Sequence, residues 1–232
     1  MERQEISLGQ GWAKGLTMAF ENESASRDLN PDSFFHVEQV HGAKIYEVTA
    51  QDLKRTGPLA KADILVARGD WFKGQKRPLM VKSADCAPLL FVQHKAQTVA
   101  AAHAGWRGLQ QGAHRVLFDQ GYLEPRETWV WLGPSLNGPS FEVGEDMWSQ
   151  FPKYKSDPQI FAETSTTAKK CFYPWRFLEE EFKELGVELF YNLEVDTFAN
   201  LEFASYRRVK KQGKELNGAL NYSWIGFHSP KT

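Results

Sequence analysis

Between Pro78 and Trp106 the chain carries three strand-length apolar segments with no helix-length segment among them. They are PLMVKSADC (78–86), PLLFVQ (88–93) and TVAAAHAGW (98–106), and the third runs directly into a helical pattern, RGLQQGAHRVLFDQGY (107–122). Leu109, Ala113, Val116 and Leu117 share one face of that helix, and Gly121 is its expected stop. Consecutive strands exclude a regular alternation of strand and helix, and they point to an α+β fold with mixed sheets.

The flanking segments fit this frame. FFHVEQVHG (34–42), AKIYEV (43–48), ADILVA (62–67), TWVWLGP (128–134), VELFYN (187–192), EFASYRR (202–208) and GALNYSWIG (218–226) read as strands or strands with a turn. PWRFLEEEFKELG (174–186) reads as a helix opened by Pro174 and closed by Gly186, with Trp175, Leu178, Phe182 and Leu185 on one face. Residues 22–33 are polar and read as a loop. We therefore expect an N-terminal arm over residues 1–33 and one domain over residues 34–232.

Composition removes several classes of function. Hydrophobic residues make up 42% and charged residues 25% of 232 residues, which excludes a disordered chain. A formal net charge of −1 gives no bulk electrostatic drive toward nucleic acid or a membrane surface. The first sixteen residues hold no apolar leader pattern, and no stretch approaches the ~20 apolar residues of a spanning helix. A cytoplasmic protein acting on a small molecule is the expectation, with the oligomeric state open. Two cysteines, Cys86 and Cys171, cannot build a disulfide framework, which fits a reducing compartment.

Three residues carry chemistry: His41, Cys86 and His103. Each ends an expected strand beside glycine or proline, where polar side chains leave the core and converge on a cleft. Two imidazoles and a thiolate are good zinc ligands, and three protein ligands leave a fourth position open, as catalytic sites do. The same residues allow a second reading, a metal-free Cys86–His103 pair for nucleophilic catalysis. A hydrolase dyad does not require His41, whereas the metal site does. Asp85 is a candidate for orienting a ligand or moving a proton. Arg107, in the GWRG opening of the central helix, is a candidate anion contact, and Gln39 a support for the His41 loop or a substrate contact. His36 is five positions from His41, so on a regular strand it points to the opposite side and receives no role.

The segments EQVHG (38–42), AD (62–63), SADCAPLLF (83–91), AAHAGWRGL (101–109), LGPSLNGPSFEVG (132–144) and FASYRR (203–208) closely resemble the YfiH family, also called laccase-domain or polyphenol oxidase-like proteins. The resemblance covers roughly residues 34–226. It implies a layered α-β-β-α fold related to the catalytic domain of cytotoxic necrotizing factors. It also implies that His41, Cys86 and His103 are zinc ligands. The activities it implies are phosphorolysis of inosine, adenosine or methylthioadenosine, and adenosine deamination. Some members are tied to editing of peptidoglycan precursors, which suits the hydrolase reading. The older copper polyphenol oxidase label is disfavoured, because six histidines are too few for a blue-copper centre plus a further histidine-rich cluster. Copper would then be an adventitious substitute in the zinc site. This chain departs from the family pattern in its N-terminal segment. LTMAFENESAS (16–26) holds neither the usual arginine nor the glycine pair, and Asp196-Thr197 stands where the family has Cys-Thr. An altered co-substrate, or a non-catalytic zinc-binding protein, is the further alternative this departure raises.

Overall fold

The computed structural model describes residues 3–8, 16–165 and 168–227. In chain order the elements are β1 Arg3–Leu8, β2 Leu16–Glu21, α1 Glu23–Arg27, β3 Ile45–Glu47, β4 Ile64–Arg68, β5 Leu79–Ser83, β6 Ala87–Gln93 and β7 Thr98–Ala104. There follow α2 Trp106–Gln110, α3 Val116–Asp119, β8 Thr128–Leu132, β9 Glu142–Gly144, α4 Glu145–Trp148, β10 Phe161–Glu163 and β11 Lys169–Phe172. The chain closes with α5 Pro174–Leu185, β12 Leu189–Asn192, α6 Tyr206–Lys211 and β13 Asn221–Gly226.

The three central strands organise the molecule. β6 and β7 lie antiparallel at the centre of a six-stranded mixed sheet ordered β12-β8-β6-β7-β4-β3. β5 leaves for a second, four-stranded sheet ordered β1-β2-β13-β5. Every residue of β6 and of β7 is buried, which requires cover on both faces of the larger sheet. Alternation divides the duties. Leu89, Phe91, Ala100, Ala102, Val130 and Leu132 pack beneath the helical side with Leu117, Leu178 and Phe182. Leu90, Val92, Val99, Ala101 and Trp131 pack on Leu16, Met18, Phe20, Val81 and Ile225 of the four-stranded sheet. The outer face of that second sheet carries Ala19, Met80 and Trp224 under Leu29 and Phe34. The layering is thus helix, sheet, sheet, helix, the arrangement that the family resemblance implies. A third, three-stranded sheet, β10-β11-β9, adjoins α5.

Four sequence expectations need correction. The single helix over 107–122 is two short helices, because Gly112 turns left-handed at φ +85° and ends α2. The expected strand over 202–208 is instead α6. Ser205 caps it by accepting from the Arg208 N–H, a local signal that outweighs the β-prone residues around it. The loop over 22–33 contains α1, capped by Asn22, and a 3₁₀ turn from Pro31 to Ser33. The division expected at residue 34 also runs through a sheet, since β2 lies between β1 and β13 as an interior strand. His228 lies outside the described residues.

Candidate metal centre

The three chemistry-bearing side chains meet. One donor atom each from His41, Cys86 and His103 lies within 4.8 Å of the others. His103 comes from the end of β7 and Cys86 from the turn between β5 and β6. These are neighbours because β6 and β7 pair with Ala87 opposite Ala104. His41 arrives on a loop that must be held by other means. It takes a left-handed backbone, φ +60°, and its ring stands edge-on to that of His103 at 4.8 Å between centroids.

The holding group is Asp63, at the entry to β4, and it is fully buried. Its carboxylate accepts hydrogen bonds from the backbone N–H of His41 at 2.9 Å and Gly42 at 2.8 Å, and from Val40 at 3.2 Å. It also accepts from Nδ1 of His103 at 2.9 Å. One carboxylate therefore fixes both imidazoles. Nδ1 of His103 faces Asp63, so with its proton there the ring would present Nε2 to a metal ion. Sequence reasoning gave Asp63 no role. The available signal was a carboxylate opening an otherwise apolar strand, ADILVA, where burial demands partners.

Close approach fixes two glycines. A Cβ on Gly105 would lie 3.0 Å from Cys86 Sγ and 3.1 Å from His41 Cδ2. A Cβ on Gly108 would lie 2.9 Å from the Gly42 carbonyl oxygen. The GWRG segment thus gives the centre room, a use its sequence reading as an anion-binding helix start did not anticipate.

The electrostatics follow from burial and pairing. Burial alone would raise the Cys86 thiol, but hydrogen bonds from His103 and His41 outweigh it and bring the thiol down to about 7. Burial would likewise lower His103, yet hydrogen bonds to Asp63 and Cys86 raise it to about 9. Asp63 is penalised by burial but held below the usual carboxylate range by His103 and the loop N–H groups. The arrangement favours a thiolate among donors, so this group could hold one metal ion. It is the one such cluster of three among the described residues. His94 instead stacks on Trp129, and His114 bonds Glu181 at 3.0 Å.

The other expected site residues are placed as follows. Gln39 uses its amide twice on the backbone of Lys82, donating to the carbonyl at 2.7 Å and accepting from the N–H at 2.8 Å. It therefore ties the His41 loop to β5. Asp85, at φ +91°, has its carboxylate taken by the Thr197 hydroxyl at 2.7 Å and the Arg207 N–H at 2.6 Å. These contacts tie the C-terminal segment to the turn that carries Cys86. Arg107 is exposed on α2, with its guanidinium 4.4 Å from the Trp106 ring centroid, and borders the cleft. That cleft is a cavity of about 1200 Å³ into which His41, Cys86 and His103 all open. His36 lines it too, contrary to the alternation argument. The chain over 34–42 is held by isolated bridges rather than a regular strand, and the left-handed turn at His41 breaks the alternation.

Comparison with known proteins identifies the family and the fold. The family described as "Multi-copper polyphenol oxidoreductase laccase" matches residues 19–220. A purine nucleoside phosphorylase of Pseudomonas aeruginosa is 29% identical over 180 residues, covering 77% of this chain and 70% of that one. The purine nucleoside phosphorylase YfiH of Escherichia coli gives the same figures. A purine nucleoside phosphorylase of Streptomyces coelicolor is 28% identical over 229 residues, 96% of this chain and 88% of its own. Among solved structures, the hypothetical protein YfiH of Bacillus licheniformis superposes at a TM-score of 0.75 with 17% identity, covering 91% of this chain and 92% of that one. A Neisseria meningitidis protein, NMB0706, superposes at 0.75 with 22% identity, covering 99% and 100%. With the family match spanning most of its length and the same fold in these structures, the chain belongs to the laccase-like YfiH family.

Proposed function

We propose that the chain is a zinc-dependent purine nucleoside phosphorylase, with His41, Cys86 and His103 as the metal ligands. The observation that carries the reading is the convergence of two imidazoles and one thiolate, with donors within 4.8 Å, on a cavity of about 1200 Å³. That donor set suits zinc and leaves a fourth position open. Zinc bound there would act as a Lewis acid toward an oxygen or nitrogen of the substrate. The names of the relatives supply the substrate class.

The chain's own residues have definable tasks. Asp63 holds the His41 loop and the His103 ring in register, so little reorganisation is needed when substrate enters. Leu109, Phe141, Val143 and Met147 supply apolar walls for a flat purine. Arg107 and Arg207 stand at the cleft as positive charges for an anionic co-substrate. In phosphorolysis the phosphate oxygen forms a bond to ribose C1′ as the bond to the purine nitrogen breaks. The purine leaves with that electron pair and takes up a proton.

The multicopper oxidase description fits poorly with a single donor cluster among the described residues and with His94 and His114 engaged elsewhere. Inosine, adenosine and methylthioadenosine, incubated with and without phosphate and resolved by chromatography, test the proposal. Free base and ribose 1-phosphate, formed only with phosphate and lost in Cys86→Ala, are expected. Absence of products overturns it, and phosphate-independent release of ammonia from adenosine replaces it with deamination.

A second reading has one observation in its favour: a Cys86 thiol near 7 beside a raised His103 resembles an activated cysteine nucleophile. A metal-free protein whose Cys86 alkylates stoichiometrically, and whose activity survives His41→Ala, would establish it.

A further inference from the structure

The chain changes sheets immediately before the donor cluster. β5 ends at Ser83 in the four-stranded sheet and β6 begins at Ala87 in the six-stranded one, so residues 84–86 make the whole crossing. They do so through a positive backbone angle at Asp85, φ +91°. An L-residue is disfavoured there because its Cβ crowds the backbone, whereas glycine adopts such an angle freely. A non-glycine residue persists in that conformation only where its surroundings over-determine it. Asp85 directly precedes Cys86, so its backbone angle sets the direction from which the thiol approaches His41 and His103.

The groups that hold Asp85 come from three distant segments. Its carbonyl accepts from the Leu136 N–H at 2.8 Å. One carboxylate oxygen accepts from the Thr197 hydroxyl at 2.7 Å, and the other from the Arg207 N–H at 2.6 Å. Thr197 is fully buried and does not open on the cavity, so its hydroxyl serves Asp85 and not a substrate. Thr197 is itself fixed from both sides. Its N–H donates to the Ser135 carbonyl at 3.1 Å, and its own carbonyl accepts from the Arg208 guanidinium at 2.6 Å. That guanidinium also donates to the carbonyls of Phe198, Asn200 and Phe203, which gathers the loop over 197–203 around one charge. A continuous set of hydrogen bonds therefore runs from α6 through Thr197 to the turn that carries Cys86.

We propose that Thr197 is a positioning residue for Cys86. It acts through Asp85, holding position 85 at a positive φ so that the sulfur stays within reach of His41 and His103. That the sulfur then ligates a metal rests on the function proposed above; the geometry of the turn does not. The proposal assigns the Asp85 carboxylate to the turn rather than to a substrate or a proton.

Zinc competition with a chelating dye, on the full chain, tests it. Thr197→Val keeps the shape and removes the hydroxyl, so it should weaken zinc binding about tenfold, and Thr197→Ser should return it to within about twofold of the parent. Asp85→Ala should weaken binding about tenfold or more, whereas Asp85→Gly should stay within about threefold of the parent, because glycine holds a positive φ unaided. In the Asp85→Gly background, Thr197→Val should have no further effect. A carboxylate that only braced the C-terminal segment, or that moved a proton, would make alanine and glycine equivalent. Crystal structures of the two position-85 variants make the same comparison without metal, with the Cys86 sulfur displaced from His103 in Asp85→Ala and in place in Asp85→Gly. Parent-like zinc affinity in Thr197→Val, or equal effects of alanine and glycine, overturns the proposal. A parent chain that binds no zinc sinks the metal reading alone. The two structures then decide the positioning, and an undisplaced sulfur in Asp85→Ala overturns it.

Discussion

Replacing Asp63 by asparagine removes the charge while keeping the shape, and its consequence can be worked from the contacts. The carboxylate accepts from four donors: the N–H groups of Val40, His41 and Gly42, and Nδ1 of His103. An amide offers one acceptor oxygen and turns an NH₂ group toward donors on its other side. If the oxygen takes the place of Oδ1 it keeps His41, His103 and Val40, and the Gly42 N–H faces the NH₂; the opposite flip strands His41 and His103. At least one hydrogen bond to a charged acceptor is lost either way, worth about 1.5–3 kcal/mol in a buried setting. A destabilisation of at least about 1.5–3 kcal/mol follows, against a typical total of about 5–15 kcal/mol. The His41 loop loses its anchor, so metal affinity should fall roughly 10–100-fold. Urea unfolding of the metal-stripped protein measures the first effect, and zinc competition with a chelating dye the second. An Asp63→Asn variant with the parent's unfolding midpoint and zinc affinity would refute the idea that one carboxylate positions both histidines.

Other outcomes follow from the same structure. Gly105→Ala should leave the fold cooperative but lower metal affinity, because its Cβ would sit 3.0 Å from Cys86 Sγ; metal analysis alongside a circular dichroism melt checks both halves. The carboxylate of Glu181 is held down at about 2, chiefly by His114, with Tyr154 and Lys153 assisting against burial. Its contribution is complete above its ordinary value of 4.5 and is lost as pH falls through about 2. Glu181→Gln should therefore cost about 3 kcal/mol at pH 7 and progressively less between pH 4.5 and 2 in urea unfolding. Ser205→Ala removes the cap of α6 and should cost about 1 kcal/mol; an unchanged midpoint would deny that the cap selects helix over strand there.

The sheets were legible because their strands are apolar runs bounded by turn residues, and β6 and β7 need nothing from outside to be recognised. His41, Cys86 and His103 were legible for a related reason, since polar residues at strand ends have few uses except a cleft. What was hidden depends on contacts distant in sequence. Asp63 serves a loop 22 residues earlier and a histidine 40 residues later, and no local pattern carries that pairing. His36 was misplaced because alternation holds only along a regular strand, and residues 34–42 are not one. Asp85, which the sequence offers for orienting a ligand or moving a proton, has its carboxylate engaged by the Thr197 hydroxyl and the Arg207 N–H, more than a hundred residues away. The helix break at Gly112 and the cap at Ser205 were local signals. In the sequence reading they were outweighed by hydrophobic periodicity and β-propensity.

The central claim is that His41, Cys86 and His103 hold one zinc ion. X-ray absorption at the zinc edge, on protein purified without chelator, tests it most directly. The account predicts about one zinc per chain, with one sulfur at ~2.3 Å and two imidazole nitrogens at ~2.0 Å. The sulfur signal should vanish in Cys86→Ser. A protein without stoichiometric zinc, or zinc with no sulfur neighbour, would contradict it.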